Sequence, residues 1–93
     1  MHLGLLTLDL TIAHAMSLKD RRSAISGLKS RLRQRFNVSV AEVGDKETWN
    51  RATLAVAGVG DDRAYVEGQL QRVVTFAEGH RDSDVEASRI EWL

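Results

Sequence analysis

Residues 2–12 read HLGLLTLDLTI, and the alternation in this stretch decides how the rest of the chain is interpreted. From Gly4 onward, every even position is apolar or glycine: Gly4, Leu6, Leu8, Leu10 and Ile12. A period of two with one apolar side is typical of a strand that places one face on a core. The odd positions begin apolar and end polar, so the other face of this strand is predicted to be only half apolar.

A helix is predicted to follow this strand, from Ser17 to about Arg35. Ser17 is suited to cap the first turn, and Asp20 three residues later approximates the acid of a capping box. Apolar residues then recur at helical spacing and predict one stripe that faces the core, made of Leu18, Ala24, Ile25, Leu28 and Leu32.

The remaining pattern predicts a hairpin, a second helix and a last strand. The hairpin strands are expected over 36–43 and 49–59, the helix from the Gly60-Asp61-Asp62 turn to about Ala77, and the last strand over 85–93. The order β-α-β-β-α-β is that of the ferredoxin-like α+β fold. Residues 1–93 are therefore predicted to form a single domain, with two helices on one face of a four-stranded antiparallel sheet and the opposite face uncovered.

Composition excludes several classes of function. The chain has no cysteine, so disulfides and thiolate metal sites are excluded. No apolar run approaches the ~20 residues of a membrane span, and the N-terminus does not resemble a signal peptide, so a cytoplasmic protein is expected. The three histidines lack metal-ligand spacing, and no glycine-rich phosphate loop, nucleophile elbow or HExxH motif occurs. We therefore predict no catalytic residue, no metal and no cofactor.

Charge is segregated along a chain whose net charge is zero. Residues 17–36 hold seven basic residues and one acid, a net charge of +6, while the other 6 basic and 12 acidic residues carry −6. The basic residues are Lys19, Arg21, Arg22, Lys29, Arg31, Arg33 and Arg35. Such a row on the outer side of a helix favours contact with RNA or a ribosomal particle. The alternative is a solvated face whose arginines pair with acids such as Asp61, Asp62, Glu67 and Glu78.

The uncovered sheet face predicts a second interaction. Its apolar half is expected to comprise Leu3, Leu5, Val43, Ala55, Ala57 and Val59. No aromatic residue lies at the central positions, which argues against the base stacking of RNA-recognition modules. A clustered apolar patch on a small domain favours a homodimer through this face, the alternative being a mildly apolar surface that stays hydrated.

Two other functions stay open. Asp9 and Arg51 are expected on the open face of adjacent strands, and a cleft holding them with a histidine would favour a small-ligand or enzymatic module. The second open function is that of a purely structural module, which one protein binds along the sheet edge. Trp49 and Trp92 are each predicted to pack as structural clasps rather than to anchor a partner.

Three stretches resemble the YlxP-like family of small bacterial proteins: Ser17–Arg22 (SLKDRR), Arg35–Val43 (RFNVSVAEV) and Trp49–Leu54 (WNRATL). The resemblance covers nearly the whole chain and implies a ferredoxin-like fold and a bacterial cytoplasmic protein. Genes of this family often lie near those of translation and ribosome-maturation factors, which implies a role around the ribosome. The family has no established catalytic residues. One departure is His14-Ala15-Met16, where relatives tend to have proline and glycine, so this loop is expected to be less rigid.

Overall fold

Six elements follow one another in the order β-α-β-β-α-β in the computed structural model, which describes residues 1–93. They are β1 (His2–Thr11), α1 (Leu18–Arg35), β2 (Ser39–Val43), β3 (Arg51–Gly60), α2 (Arg63–Glu78) and β4 (Asp84–Trp92). This order confirms the predicted one.

The four strands form one antiparallel sheet in the order β2-β3-β1-β4, with β1 and β3 at the centre. Leu6 on β1 lies opposite Val56 on β3 and Ile90 on β4. The even-numbered side chains of β1 and β3 form one core cluster with residues of both helices, so the two helices cover the same face. The predicted ferredoxin-like α+β architecture is confirmed, and the other face is left open.

The core is aliphatic and is built from matched stripes. The sheet contributes Leu6, Leu8, Leu10, Leu54 and Val56, α1 contributes Ile25, Leu28 and Leu32, and α2 contributes Val66, Leu70 and Val73, all at most 2% exposed. Each side chain of this kind contributes about 1.5–3 kcal/mol when it is fully buried. This burial holds both helices against the sheet.

The start of α1 follows the predicted capping pattern. The Ser17 hydroxyl accepts a hydrogen bond from the Asp20 amide at 3.2 Å, and the Asp20 carboxylate accepts one from the Met16 amide at 3.0 Å. Two amide groups that the helix itself cannot satisfy are thereby paired. The helix ends after Arg35, where the Phe36 amide donates to the Leu32 carbonyl.

Two strands begin two or more residues later than predicted. β2 begins at Ser39 rather than at residue 36, because Phe36 caps α1; Phe36 and Val38 still pack against the core. β3 begins at Arg51 rather than at residue 49, because residues 49–50 form a turn. Neither helix combines the length and apolar character needed to cross a bilayer.

The predicted core stripe of α1 is wrong at one position. Leu18 is 37% exposed, while Arg21, predicted at the outer edge of the helix, is 1% exposed. The buried stripe therefore begins one turn later than predicted and runs Arg21, Ile25, Leu28 and Leu32.

Candidate nucleic-acid interface

The seven basic residues predicted to bind RNA occupy three different environments. Lys19, Arg22, Arg31, Arg33 and Arg35 are exposed, Lys29 is half-buried and Arg21 is buried. Six of the seven therefore reach the surface of the helical layer. The helix presents them because its apolar stripe is held on the sheet, so its polar side faces solvent.

Arg21 is not available to a phosphate, and the prediction that it faces outward is wrong. Its Nε lies 2.9 Å from each of the carbonyl oxygens of Thr48 and Arg51. Its Nη2 lies 3.1 Å from the Asp45 carbonyl oxygen and 2.5 Å from the Glu42 carboxylate. The guanidinium thus joins α1 to β2 and to the loop between β2 and β3. Its role is structural.

Arg33 is partly engaged within the fold. Its Nη2 donates to the Val40 carbonyl oxygen at 2.6 Å, which ties the last turns of α1 to the edge strand β2. The residue as a whole remains exposed. Its charge is therefore held in one place near the surface.

No carboxylate neutralises the exposed cations of α1. The three ion pairs of the structure are Arg21–Glu42, Arg81–Asp82 and Arg89–Glu91, and only the first involves α1. The acids considered as partners, Asp61, Asp62, Glu67 and Glu78, form no ion pair with the helix; Asp62 instead caps α2 through the Ala64 amide at 3.0 Å. The positive face of α1 thus keeps its charge.

A groove between α1 and α2 continues this positive face, and we call it the arginine groove. It consists of two adjoining depressions of about 750 and 410 Å³ that share Arg35 and Phe76. Its lining residues are Arg31, Gln34, Arg35, Phe36, Tyr65, Gln69, Arg72, Thr75 and Phe76. Three arginines and three aromatic rings line it, and no carboxylate does.

The α2 side of the groove was missed by the sequence analysis. Tyr65, Gln69, Arg72 and Phe76 follow one another at spacings of four, three and four, which is one stripe of a helix. This stripe lies directly beside the core stripe that begins at Val66. The spacing was a usable signal, but nothing local in the sequence shows that α1 borders it.

Two of the three rings of the groove pack against each other. Phe36 and Phe76 meet edge to face with centroids 5.9 Å apart. The Arg35 guanidinium carbon lies 5.2 Å from the centre of the Phe76 ring. Tyr65 is 59% exposed at the rim. The groove therefore offers both cationic and aromatic surface to the solvent.

Five of the six apolar residues predicted on the open sheet face are neighbours there. Leu3 lies opposite Val59, Leu5 opposite Ala57, and Ala55 is next across from Thr7. Val43 lies apart from the pairs of Leu3 and Leu5, at the edge of the sheet opposite Thr53. The exposed Ala41, opposite Ala55, links Val43 to the rest and was not predicted.

The Asp9 and Arg51 cleft lacks the histidine that a catalytic interpretation needs. Asp9 lies opposite Thr53 and accepts a hydrogen bond from its hydroxyl at 3.1 Å, whereas Arg51 lies opposite Thr11. Both line a cleft of about 240 Å³ together with Glu86. No ion pair joins the Asp9 carboxylate to the Arg51 guanidinium.

The two tryptophans differ in environment. Trp49 is 54% exposed on the loop between β2 and β3, so the prediction that it packs as a structural clasp is wrong. Trp92 is half-buried against the core, as expected of a structural residue, and the Arg63 guanidinium lies 4.5 Å from the centre of its ring.

The sequence is similar to one family throughout its length. A family described as "Protein of unknown function (DUF503)" matches residues 3–90. The "Uncharacterized protein YlxP" of Bacillus subtilis (strain 168) is 32% identical over 91 residues, which cover 98% of this chain and 99% of that protein. Both matches agree with the resemblance carried by the SLKDRR and RFNVSVAEV stretches. The chain is therefore a member of the DUF503 family, as the family match and the YlxP-like sequence show.

Proposed function

We propose that this protein is a non-enzymatic RNA-binding protein that contacts RNA or a ribosomal particle through the exposed side of α1. The observation that carries the proposal is that six cations of this helix reach the surface without any carboxylate partner. They are Lys19, Arg22, Lys29, Arg31, Arg33 and Arg35. The proposed place of action is the bacterial cytoplasm.

The physical basis is release of counterions from the phosphate backbone. Each phosphate that a cation neutralises makes log K fall with log[salt] by about 0.7 to 0.9 units. Six contacts therefore give a slope of roughly −4 to −5. An interaction of this kind is largely independent of sequence, which suits a module without a base-reading sheet face.

The test reverses charge where the fold does not depend on it. Lys19 and Arg22 are exposed and make no hydrogen bond through their side chains, so Lys19→Glu/Arg22→Glu should leave the circular-dichroism spectrum unchanged. Filter binding to RNA over a salt series should show affinity reduced by a factor of about 10 or more and a shallower slope. The matched control is Lys46→Glu/Arg81→Glu, which changes charge equally at exposed sites outside α1 and outside the open sheet face.

Two results would contradict the proposal. One is wild-type protein that shows no salt-sensitive RNA binding near ~50 mM salt, where phosphate contacts are strongest. The other is equal loss of binding in the α1 variant and in the control, because the net charge of the protein rather than the helix would then account for it.

We also propose that two copies associate through the open sheet face. The support is the clustering of Leu3, Leu5, Ala57 and Val59 on neighbouring strands that no helix covers. Covering this patch would add buried apolar surface to a small domain. Because the helices lie on the opposite side of each sheet, such a dimer would present two α1 faces outward and bind one RNA at two points.

A further inference from the structure

We propose that the arginine groove between α1 and α2 is a binding site for single-stranded RNA, with a base against Tyr65 and phosphates on Arg31, Arg35 and Arg72. This inference rests on the proposed RNA binding and deepens it. It assigns the form of nucleic acid, a single strand rather than a duplex, and adds α2 to the surface that binds it.

The charge of the groove selects an anion. All three of its charged lining residues are arginines, and none of them forms an ion pair. Guanidinium groups match the geometry of phosphate and can bind it through two parallel hydrogen bonds. Arg31 and Arg35 are one helical turn apart on α1, and Arg72 stands on the facing helix. Phosphates in the groove would meet positive charge on both sides.

The aromatic rings select a ligand that also has flat apolar surfaces. Tyr65 is exposed at the rim of the groove, and Phe76 is half-buried and packs edge to face with Phe36. Bases stacked on aromatic side chains contribute about 1–3 kcal/mol each in single-strand binding proteins. The Arg35 guanidinium above Phe76 adds a planar cation to the same surface.

The neutral polar residues complete the match to a nucleotide. Gln34, Gln69 and Thr75 line the groove between the charged and aromatic groups. Their amides and hydroxyl can both donate and accept hydrogen bonds, as base edges and ribose require. A ligand with phosphate, a planar ring and hydrogen-bonding edges fits all three parts of the lining.

Stacking of a base on an exposed aromatic ring requires single-stranded RNA. Base faces and edges are hidden inside a duplex and become available only when the bases are unpaired. In RNA-recognition modules of this fold, the stacking rings lie on the sheet. Here the open sheet face has no aromatic residue on β1 and β3, and the exposed Tyr65 lines the helical groove instead. The proposed stacking surface therefore lies in the helical layer, on the other side of the sheet.

The experiment compares RNA forms and single groove substitutions. Fluorescence anisotropy would measure binding of a labelled single-stranded 12-mer and of the matching duplex, and 2-aminopurine in the single strand would report stacking. We expect the single strand to bind at least ~10-fold more tightly and the 2-aminopurine emission to be quenched. Tyr65→Ala should weaken binding by ~5- to 100-fold and abolish the quenching, whereas Tyr65→Phe should retain both.

Arginine substitutions test the phosphate contacts separately. Arg72→Gln should weaken binding of the single strand and reduce the salt slope by about 0.7. Arg81→Gln is the matched control, since it removes the same charge from an exposed arginine outside the groove. Tyr65 and Arg72 are both exposed, so unchanged thermal unfolding of these variants is expected and shows that any loss is local.

The possible outcomes distinguish failure of the groove site from failure of the proposed RNA binding by α1. Equal affinity for duplex and single strand, with Tyr65→Ala and Arg72→Gln unchanged but Lys19→Glu/Arg22→Glu impaired, would overturn the groove site and leave RNA binding by α1 intact. Absence of binding to either form would overturn both. Weakened binding by Arg81→Gln equal to that of Arg72→Gln would also overturn the groove site.

Discussion

Arg21 and Glu42 form a buried ion pair in which the guanidinium Nη2 lies 2.5 Å from the carboxylate oxygen Oε2. The same guanidinium donates to the carbonyls of Asp45, Thr48 and Arg51, so one side chain binds both ends of the loop between β2 and β3. A charge can be buried at this depth only when it is paired and hydrogen-bonded. Arg21 therefore links the helix with the strongest positive charge to the hairpin beneath it.

Removal of the Arg21 guanidinium should destabilise the protein severely. Arg21→Met leaves Glu42 and three carbonyl oxygens without their partner, and the loss of one member of a buried pair costs about 3–5 kcal/mol. Urea denaturation followed by circular dichroism should show a large fall in the midpoint or no folded baseline. Arg22→Met, one residue further on the exposed side, should change the free energy of unfolding by less than about 0.5 kcal/mol. Equal effects at the two positions would contradict the structural role of Arg21.

Two glycine substitutions should change stability in opposite directions. A Cβ at Gly4 would lie 2.8 Å from Leu70 Cδ1 and 3.1 Å from Trp92 Cζ3, so Gly4→Ala should destabilise the protein by about 1–3 kcal/mol. A Cβ at Gly27, inside α1, meets nothing within 4 Å, so Gly27→Ala should stabilise it by about 1 kcal/mol through helix propensity. Thermal or urea unfolding checks both, and a destabilising Gly27→Ala would contradict the packing of α1.

The Asp45 carboxylate should contribute stability that is lost at acidic pH. Hydrogen bonds from the Thr48 hydroxyl and then from the Glu47 amide hold the pKa of Asp45 below its ordinary value of 3.8. Because the folded-state pKa is the lower one, the contribution is complete above the unfolded value and is lost as the pH falls through the folded pKa. Thr48→Val should thus raise the Asp45 pKa, and its stability deficit should shrink below about pH 4.

A carboxyl titration by NMR and urea midpoints between neutral and acidic pH measure these two effects. Thr75→Val is the matched control, because the Thr75 hydroxyl donates to the Gln71 carbonyl and to no carboxylate. Its stability difference from the wild type should not change with pH in the acidic range. An Asp45 that titrates at or above its ordinary pKa would contradict the hydrogen-bonded loop.

Self-association through the open sheet face should double the molecular mass measured in solution. Sedimentation equilibrium should find twice the 10.4 kDa mass of the chain, and Val59→Glu should return it to the mass of one chain. Val59 is 55% exposed, so this substitution buries no charge in a monomer. Gln71→Glu adds the same charge on the helical side and should leave the dimer intact. A single-chain mass for the wild type at high concentration would contradict the proposed dimer.

Local pattern was sufficient for the architecture. The alternation of HLGLLTLDLTI, the Ser17 cap with Asp20 and the two helical stripes each depend on neighbours a few residues away, and the structure agrees with them except at Leu18. The starts of β2 and β3 were less predictable. They depend on Phe36 capping α1 and on residues 49–50 forming a turn. Family membership followed from the same local stretches.

The functional surface could be only half predicted. Lys19, Arg22 and the other exposed cations of α1 followed from the helical period alone, because polar residues opposite an apolar stripe face solvent. Arg21 shares the spacing of Ile25, Leu28 and Leu32, yet its charge argues for exposure. Its burial depends on a carboxylate and three carbonyls that lie 21 to 30 residues further along the chain.

The amino-acid sequence by itself determined the elements, their order, the apolar stripes and the concentration of positive charge on one helix, because each is set by residues close together in the chain. Only the tertiary structure decided which arginine is buried and which arginines keep their charge at the surface. It also placed Arg35 and Arg72 in one groove with aromatic rings. Those relationships join residues that are distant in sequence, and packing of the helices on the sheet brings them together.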